Sequence, residues 1–130
     1  IKDKSWIIIH LRPKNSCNIS EDRLHAAMSL GLIERTESGL YCRAADAWVD
    51  PWKPVPRALI THAHADHARP GCGEYWAIDS SEAVLRQRLG QSINLHSVQY
   101  GEEFWLGQCK VSFHSAGHVL GSAQIRLESD

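Results

Sequence analysis

His62-Ala63-His64-Ala65-Asp66-His67, directly after the apolar run Arg57-Ala58-Leu59-Ile60-Thr61, decides how this chain is read. The run has the character of a short buried strand, so the histidines leave its end. Alternation along extended chain sends His62 and His64 to the same side. If the chain then turns into a helix, Asp66 and His67 face a neighbouring point. Imidazole nitrogen and carboxylate oxygen are the ligands of a catalytic zinc or manganese site, whereas a structural zinc site favours thiolates. One stretch of backbone is thereby expected to serve two metals. The plain alternative is a surface loop that happens to be rich in histidine.

The rest of the composition is ordinary. A chain of 130 residues, 43% hydrophobic and 22% charged, suits one soluble domain with its own core. The net charge of -1 argues against a generally sticky nucleic-acid binder, but not against a nuclease with a local basic groove. No apolar run approaches the roughly 20 residues of a membrane span. The start Ile1-Lys2-Asp3-Lys4-Ser5-Trp6 has no signal-peptide pattern and no initiator Met, and the expected compartment is cytoplasmic. Cys17, Cys42, Cys72 and Cys109 form no C-x-x-C and read as reduced, packed thiols. Cys72, close after the motif, is the one a metal could recruit.

Outward from the motif, Trp6 to Leu11 reads as a strand and Ser20 as the N-cap of a helix ending before Gly31. Leu40-Tyr41-Cys42-Arg43 and Ala47-Trp48-Val49-Asp50 read as a hairpin, and Pro51, Pro54 and Pro56 force a non-helical link. Glu74 to Ile78 is a strand. Asp79 to Leu89 is a helix with capping-box spacing between Asp79 and Glu82 and an apolar pair at Leu85 and Leu89. Arg86 and Arg88 read as solvated charges, with a phosphate contact as the alternative. Ile93–Val98, Glu103–Leu106, Lys110–Ser115 and Ser122–Glu128 are further β runs. The alternation predicts an α/β fold.

The second informative stretch is Ser115-Ala116-Gly117-His118-Val119-Leu120-Gly121-Ser122. Gly117 and Gly121 permit a tight turn and a close backbone approach, and His118 between them supplies the imidazole that the upstream cluster lacks. His114 is expected to face away.

Together these stretches resemble the metallo-β-lactamase fold superfamily, with His62-x-His64-x-Asp66-His67 as its metal motif and His118 as the next ligand. The turn Ala116 to Ser122 is similar to that of the β-CASP nuclease branch, which includes the mRNA 3′-end processing factors. Gly39-Leu40-Tyr41-Cys42, Asp50-Pro51-Trp52, Ile60 to Arg69 and Gly117 to Gln124 look closest to bacterial ligase-associated DNA exonucleases. The resemblance covers about Leu32 to Glu128.

It implies a partial αββα sandwich: the amino-terminal part of a metallo-β-lactamase domain over residues 32–130, mostly one mixed sheet with flanking helices. Residues 1–31 would be an extension of unknown role. It implies two divalent metals, zinc by default or manganese, with His62, His64 and His118 on the first and Asp66 and His67 on the second. Asp50 would brace the metal loop, and Asp66, His67 and Asp50 would carry the catalytic work. The implied function is phosphodiester hydrolysis of nucleic acid by metal-activated hydroxide: a DNA exonuclease in repair, with a DNA ligase or helicase as partner. A β-CASP ribonuclease and an inactive truncated remnant remain as alternatives. A small-molecule hydrolase is disfavoured, because those enzymes more often carry Thr-Pro after the histidine.

The family's bridging carboxylate and cap lie beyond the strand where this chain stops. The expectation is therefore weak binding of one metal, a poorly occupied second position and no useful turnover. Uncovered apolar faces at Ile125 and Leu127 would also make the chain associate.

Overall fold

The computed structural model describes the strand at residues 5–9 and residues 31–129. The expected helix from Ser20, and Cys17, lie outside the described residues. Among the described residues, ten strands form two sheets. β1 (Ser5–Ile9), β8 (Glu103–Leu106), β9 (Cys109–Ser115) and β10 (Ala123–Ser129) make a four-stranded sheet in the order β1-β10-β9-β8. Its pairings are all antiparallel. β2 (Ile33–Thr36), β3 (Gly39–Cys42), β4 (Ala47–Val49), β5 (Arg57–Leu59), β6 (Glu74–Ile78) and β7 (Leu95–Val98) make a six-stranded sheet in sequence order. That sheet is antiparallel up to β4 and parallel from β4 to β7.

The expected α/β class with flanking helices is overturned. Among the described residues there is one α-helix, α1 (Glu82–Leu89), of eight residues, preceded by a 3-10 turn at Asp79–Ser81. The expected single mixed sheet is instead two sheets. The reason lies in the period-two pattern of β9 and β10. Val111, Phe113, Ile125 and Leu127 all point inward and are fully buried against Leu40, Cys42, Val49, Leu59 and Ile78 of the other sheet.

The uncovered faces expected at Ile125 and Leu127 are corrected by the same register, since both are 0% exposed. The opposite face of that sheet carries charged side chains of β8, β9 and β10 beside the exposed Trp105. There Lys110 reaches Glu103 and Glu128, each at 3.4 Å.

A second core lies on the other face of the six-stranded sheet. Ala58, Tyr75 and Ala77 pack there against Leu85 of α1 and against Val55, Ala63 and Ala68 of the loops around the metal motif. The loop carrying the histidines is thus anchored by Ala63, between His62 and His64, and by Ala68, just after His67, while Ala65 is exposed. Cys42 and Cys109 are free, buried thiols between the sheets with Sγ atoms 4.0 Å apart. Cys72 packs at the edge of the second core.

Two local expectations also change. Asp79 does not cap α1: its Oδ1 accepts the Ser80 N–H, while Glu82 is engaged by Arg86 and Ser97. After the metal motif the chain makes one turn rather than a helix, with the His67 and Ala68 N–H groups donating to the His64 carbonyl. Pro70 follows at once and cannot extend it. Among the described residues no helix is long and apolar enough to cross a membrane.

Candidate metal centre

The histidines gather where the parallel strands end. β4 runs out at Val49 and β5 at Leu59, and the Asp50 N–H donates to the Leu59 carbonyl at 2.9 Å. The chain continues through Ile60 and Thr61 into His62. The Thr61 carbonyl then accepts the Ala123 N–H at 2.8 Å, which fastens the start of β10 to the segment that leads into His62. This bond brings the turn before β10, and with it His118, onto the first motif.

The turn itself is held by Ser122. Its buried hydroxyl accepts the His118 N–H at 3.0 Å and the Val119 N–H at 3.2 Å, and its carbonyl accepts the Tyr100 hydroxyl at 2.7 Å. Gly117 has φ +69 and Gly121 φ +77. A Cβ on Gly121 would come within 2.7 Å of the Ser81 Cβ, so both glycine roles expected from sequence are in use.

The rings of His62, His64 and His118 surround one point. Their centroids are 4.8 Å apart for His62 and His64, 5.0 Å for His62 and His118, and 5.1 Å for His64 and His118. Their donor atoms lie within 4.8 Å of one another. Asp50, His62 and His67 form a second, fully buried triplet on the same criterion.

Asp66 lies outside both triplets. Its carboxylate is partly exposed, with Oδ2 3.5 Å from His67 Nε2. Partial burial pushes its carboxyl up, but the charge of His67 and the local N–H and imidazole groups hold it below the ordinary value. His114 is elsewhere, with its Nε2 2.9 Å from the Ser112 hydroxyl. Cys72 joins neither triplet.

Asp50 is the keystone beneath these rings. It is 3% exposed and has φ 44, a left-handed conformation that Asp tolerates better than most residues. Its Oδ1 accepts the Thr61 N–H at 2.8 Å. Its Oδ2 accepts the Thr61 hydroxyl at 2.5 Å and stands 2.6 Å from His67 Nδ1. Burial pushes the Asp50 carboxyl above its ordinary value, and the bonds from His67 and Thr61 pull the other way.

The Thr61 hydroxyl has a second contact, 3.0 Å from His62 Nδ1. Because the hydroxyl proton is committed to Asp50, its oxygen is left to accept from His62 Nδ1–H. That fixes the tautomer and leaves the lone pair on His62 Nε2.

That Nε2 carries the test of fit. It is buried and has no hydrogen-bond partner. An orphaned buried acceptor costs about 1–3 kcal/mol unless something fills the position. Burial, then the neighbouring histidines, push His62 down to about 4, so the ring is neutral at ordinary pH. A neutral imidazole with its lone pair facing two more imidazoles suits a divalent cation. Zinc needs donor atoms roughly 3.3 Å apart at bond lengths of about 2.0–2.1 Å, and the exposed His64 and His118 can close that gap by rotation.

Sequence reasoning missed three supporting residues. Thr61 orients His62, Ser122 holds His118, and Arg88 of α1 donates to the Ala63 carbonyl at 2.6 Å, between two of the candidate ligands. A hydroxyl directly before the histidine motif was the available signal for Thr61. Nothing local marked Arg88.

No protein-family model matches the chain. Among curated proteins, a probable DNA ligase of Opitutus terrae is 35% identical over 91 residues. The match takes in 69% of this chain and 9% of the relative, so the chain spans less than a tenth of that protein's length.

Proposed function

We propose that this chain carries the metal centre of a hydrolase that cleaves phosphodiester bonds in DNA, akin to the ligase-associated β-CASP nucleases of the metallo-β-lactamase superfamily. The observation that carries the reading is the orphaned His62 Nε2 facing His64 and His118. The relative named a probable DNA ligase supports a role in DNA processing.

His62, His64 and His118 would hold one cation, and Asp66 with His67 a second. A divalent cation there supplies Lewis acidity, lowering the pKa of water toward 7 and neutralising charge on a phosphoryl group. Asp50 and Thr61 hold His67 and His62 in fixed orientation, so these two donor atoms are set before any ligand arrives, while His64 and His118 adjust. His64, Asp66 and His118 are exposed and form the side from which substrate approaches. The nearby hydroxyls are already engaged, Thr61 with Asp50 and Ser122 with the His118 turn, and neither is placed as a nucleophile.

The test has two parts. Metal content after dialysis against zinc and manganese should fall in His62→Ala and His118→Ala. A longer protein that includes the expected bridging carboxylate and cap should cleave end-labelled DNA and RNA of the same sequence in a metal-dependent way, DNA faster, whereas residues 1–130 alone should turn over little. Undiminished metal content in His118→Ala sinks the metal-centre reading. Equal or faster cleavage of RNA moves the substrate assignment to RNA.

A further inference from the structure

Trp52 is 46% exposed, although the backbone that carries it is held from both sides. The Asp50 N–H donates to the Leu59 carbonyl at 2.9 Å and the Trp52 N–H to the Ser38 carbonyl at 2.8 Å. Pro51 between them is fully buried. The Trp52 ring lies beside Gly39, where an added Cβ would sit 3.8 Å from Trp52 Cδ2. The Arg35 guanidinium carbon stands 5.6 Å from the ring centroid. The acidic neighbours of Arg35 are engaged elsewhere, Glu34 with Arg43 and Glu37 with Lys53. Among the described residues no carboxylate pairs with Arg35.

Trp48 on the same sheet provides the contrast. Its Nε1–H donates to the Thr36 hydroxyl at 3.1 Å and its ring packs 4.4 Å from that of Tyr41. Trp48 has a structural role. Trp52 is about half exposed on a rigid mount, with the Arg35 guanidinium over one face of its ring and the rest open. Two residues of chain span at most about 7 Å, so Trp52 is mounted that close to Asp50, whose carboxylate holds His67.

The geometry points to Trp52 and Arg35 as a stacking platform for an unpaired base of single-stranded DNA, with the guanidinium meeting the phosphate of the same strand. The inference rests on the nuclease reading and adds to it how a strand is held. An aromatic face accepts any base, and an unpaired guanidinium beside it supplies the local positive charge that a chain of net charge -1 lacks overall.

The experiment is fluorescence anisotropy of a labelled oligothymidylate titrated with the protein in EDTA, where cleavage is silent. The proteins are wild type, Trp52→Ala, Trp52→Phe and Arg35→Gln, each checked for folding by circular dichroism. Loss of one stacked base should weaken binding roughly 5- to 150-fold in Trp52→Ala, while Trp52→Phe retains most of the affinity. Arg35→Gln should weaken binding and lower the salt slope by about one phosphate contact. Failure of wild type to bind, or Trp52→Ala binding as tightly as wild type, overturns the platform. Metal content is read separately after dialysis against zinc. A zinc content that falls in His118→Ala while Trp52→Ala keeps wild-type DNA affinity removes the platform and leaves the metal centre. Trp52-dependent binding with zinc content unchanged in His118→Ala does the reverse.

Discussion

His67 Nδ1 lies 2.6 Å from Asp50 Oδ2, and that oxygen also accepts the Thr61 hydroxyl. One buried carboxylate therefore sets the orientation of two candidate ligands, His67 directly and His62 through Thr61. Asp50→Asn tests this without breaking the backbone, because Asn also tolerates the left-handed conformation at φ 44. With its amide oxygen on the Thr61 N–H, the new NH2 group faces His67 Nδ1 and draws the ring into the opposite tautomer. Zinc affinity, read by competition with a chromophoric chelator, should fall about 10- to 100-fold. Unchanged affinity would mean that the carboxylate only fills space.

Thr61→Val keeps the shape of the side chain and removes the hydroxyl between Asp50 and His62. The His62 Nδ1–H then loses its acceptor, and the tautomer that leaves Nε2 open is no longer favoured. We expect about tenfold weaker zinc binding and about 1–3 kcal/mol lower stability in urea titrations. Thr61→Ser should restore the metal affinity, since it returns the hydroxyl. If Ser and Val behave alike, the hydroxyl has no role in holding His62.

Gly121→Ala and Ser122→Ala separate packing from orientation in the His118 turn. The alanine Cβ at 121 meets Ser81 at 2.7 Å and demands a positive φ, so melting should show a loss of about 1–3 kcal/mol. Ser122→Ala removes the acceptor of the His118 and Val119 N–H groups at an exposed turn. Its main effect should be on metal affinity, with His118→Ala as the limiting case. Equal metal affinity in Ser122→Ala and wild type would show that the turn holds its shape without that hydroxyl.

The two histidine stretches were legible because each ligand type and spacing is local. The hairpin of β3 and β4 was legible for the same reason. The second sheet was not, because Ile125 and Leu127 look like any alternating apolar pair until β9 is laid beside β10. An isolated strand does not say which sheet receives its inward face. The helix expected over Asp79 to Leu89 is present as a 3-10 turn at Asp79–Ser81 followed by α1, but the capping pattern at Asp79 and Glu82 is not used. There, contacts with Ser97 and Arg86 claim Glu82 instead. Arg88 is exposed as expected, but its bond to the Ala63 carbonyl was not legible, because that partner is remote in sequence.

The pH dependence of stability follows from His62. Burial, with the neighbouring histidines, pushes it down to about 4, whereas an unfolded histidine titrates near 6.5. The unfolded chain therefore takes up this proton first as pH falls. The stability tied to the neutral ring is complete above about pH 6.5 and is lost as pH drops toward 4, roughly 3 kcal/mol at the limit. Asp50 works against the trend, since a carboxyl raised by burial gains stability as it protonates. Comparing wild type with His62→Gln in EDTA isolates the histidine. Urea titrations at pH 7.5, 5.5 and 4.5 should show wild type losing stability faster than the variant across that range. Added zinc should steepen the wild-type loss, because protons and metal compete for the same nitrogens. Parallel declines in the two proteins, with or without zinc, would show that the His62 ring is not held neutral by the fold.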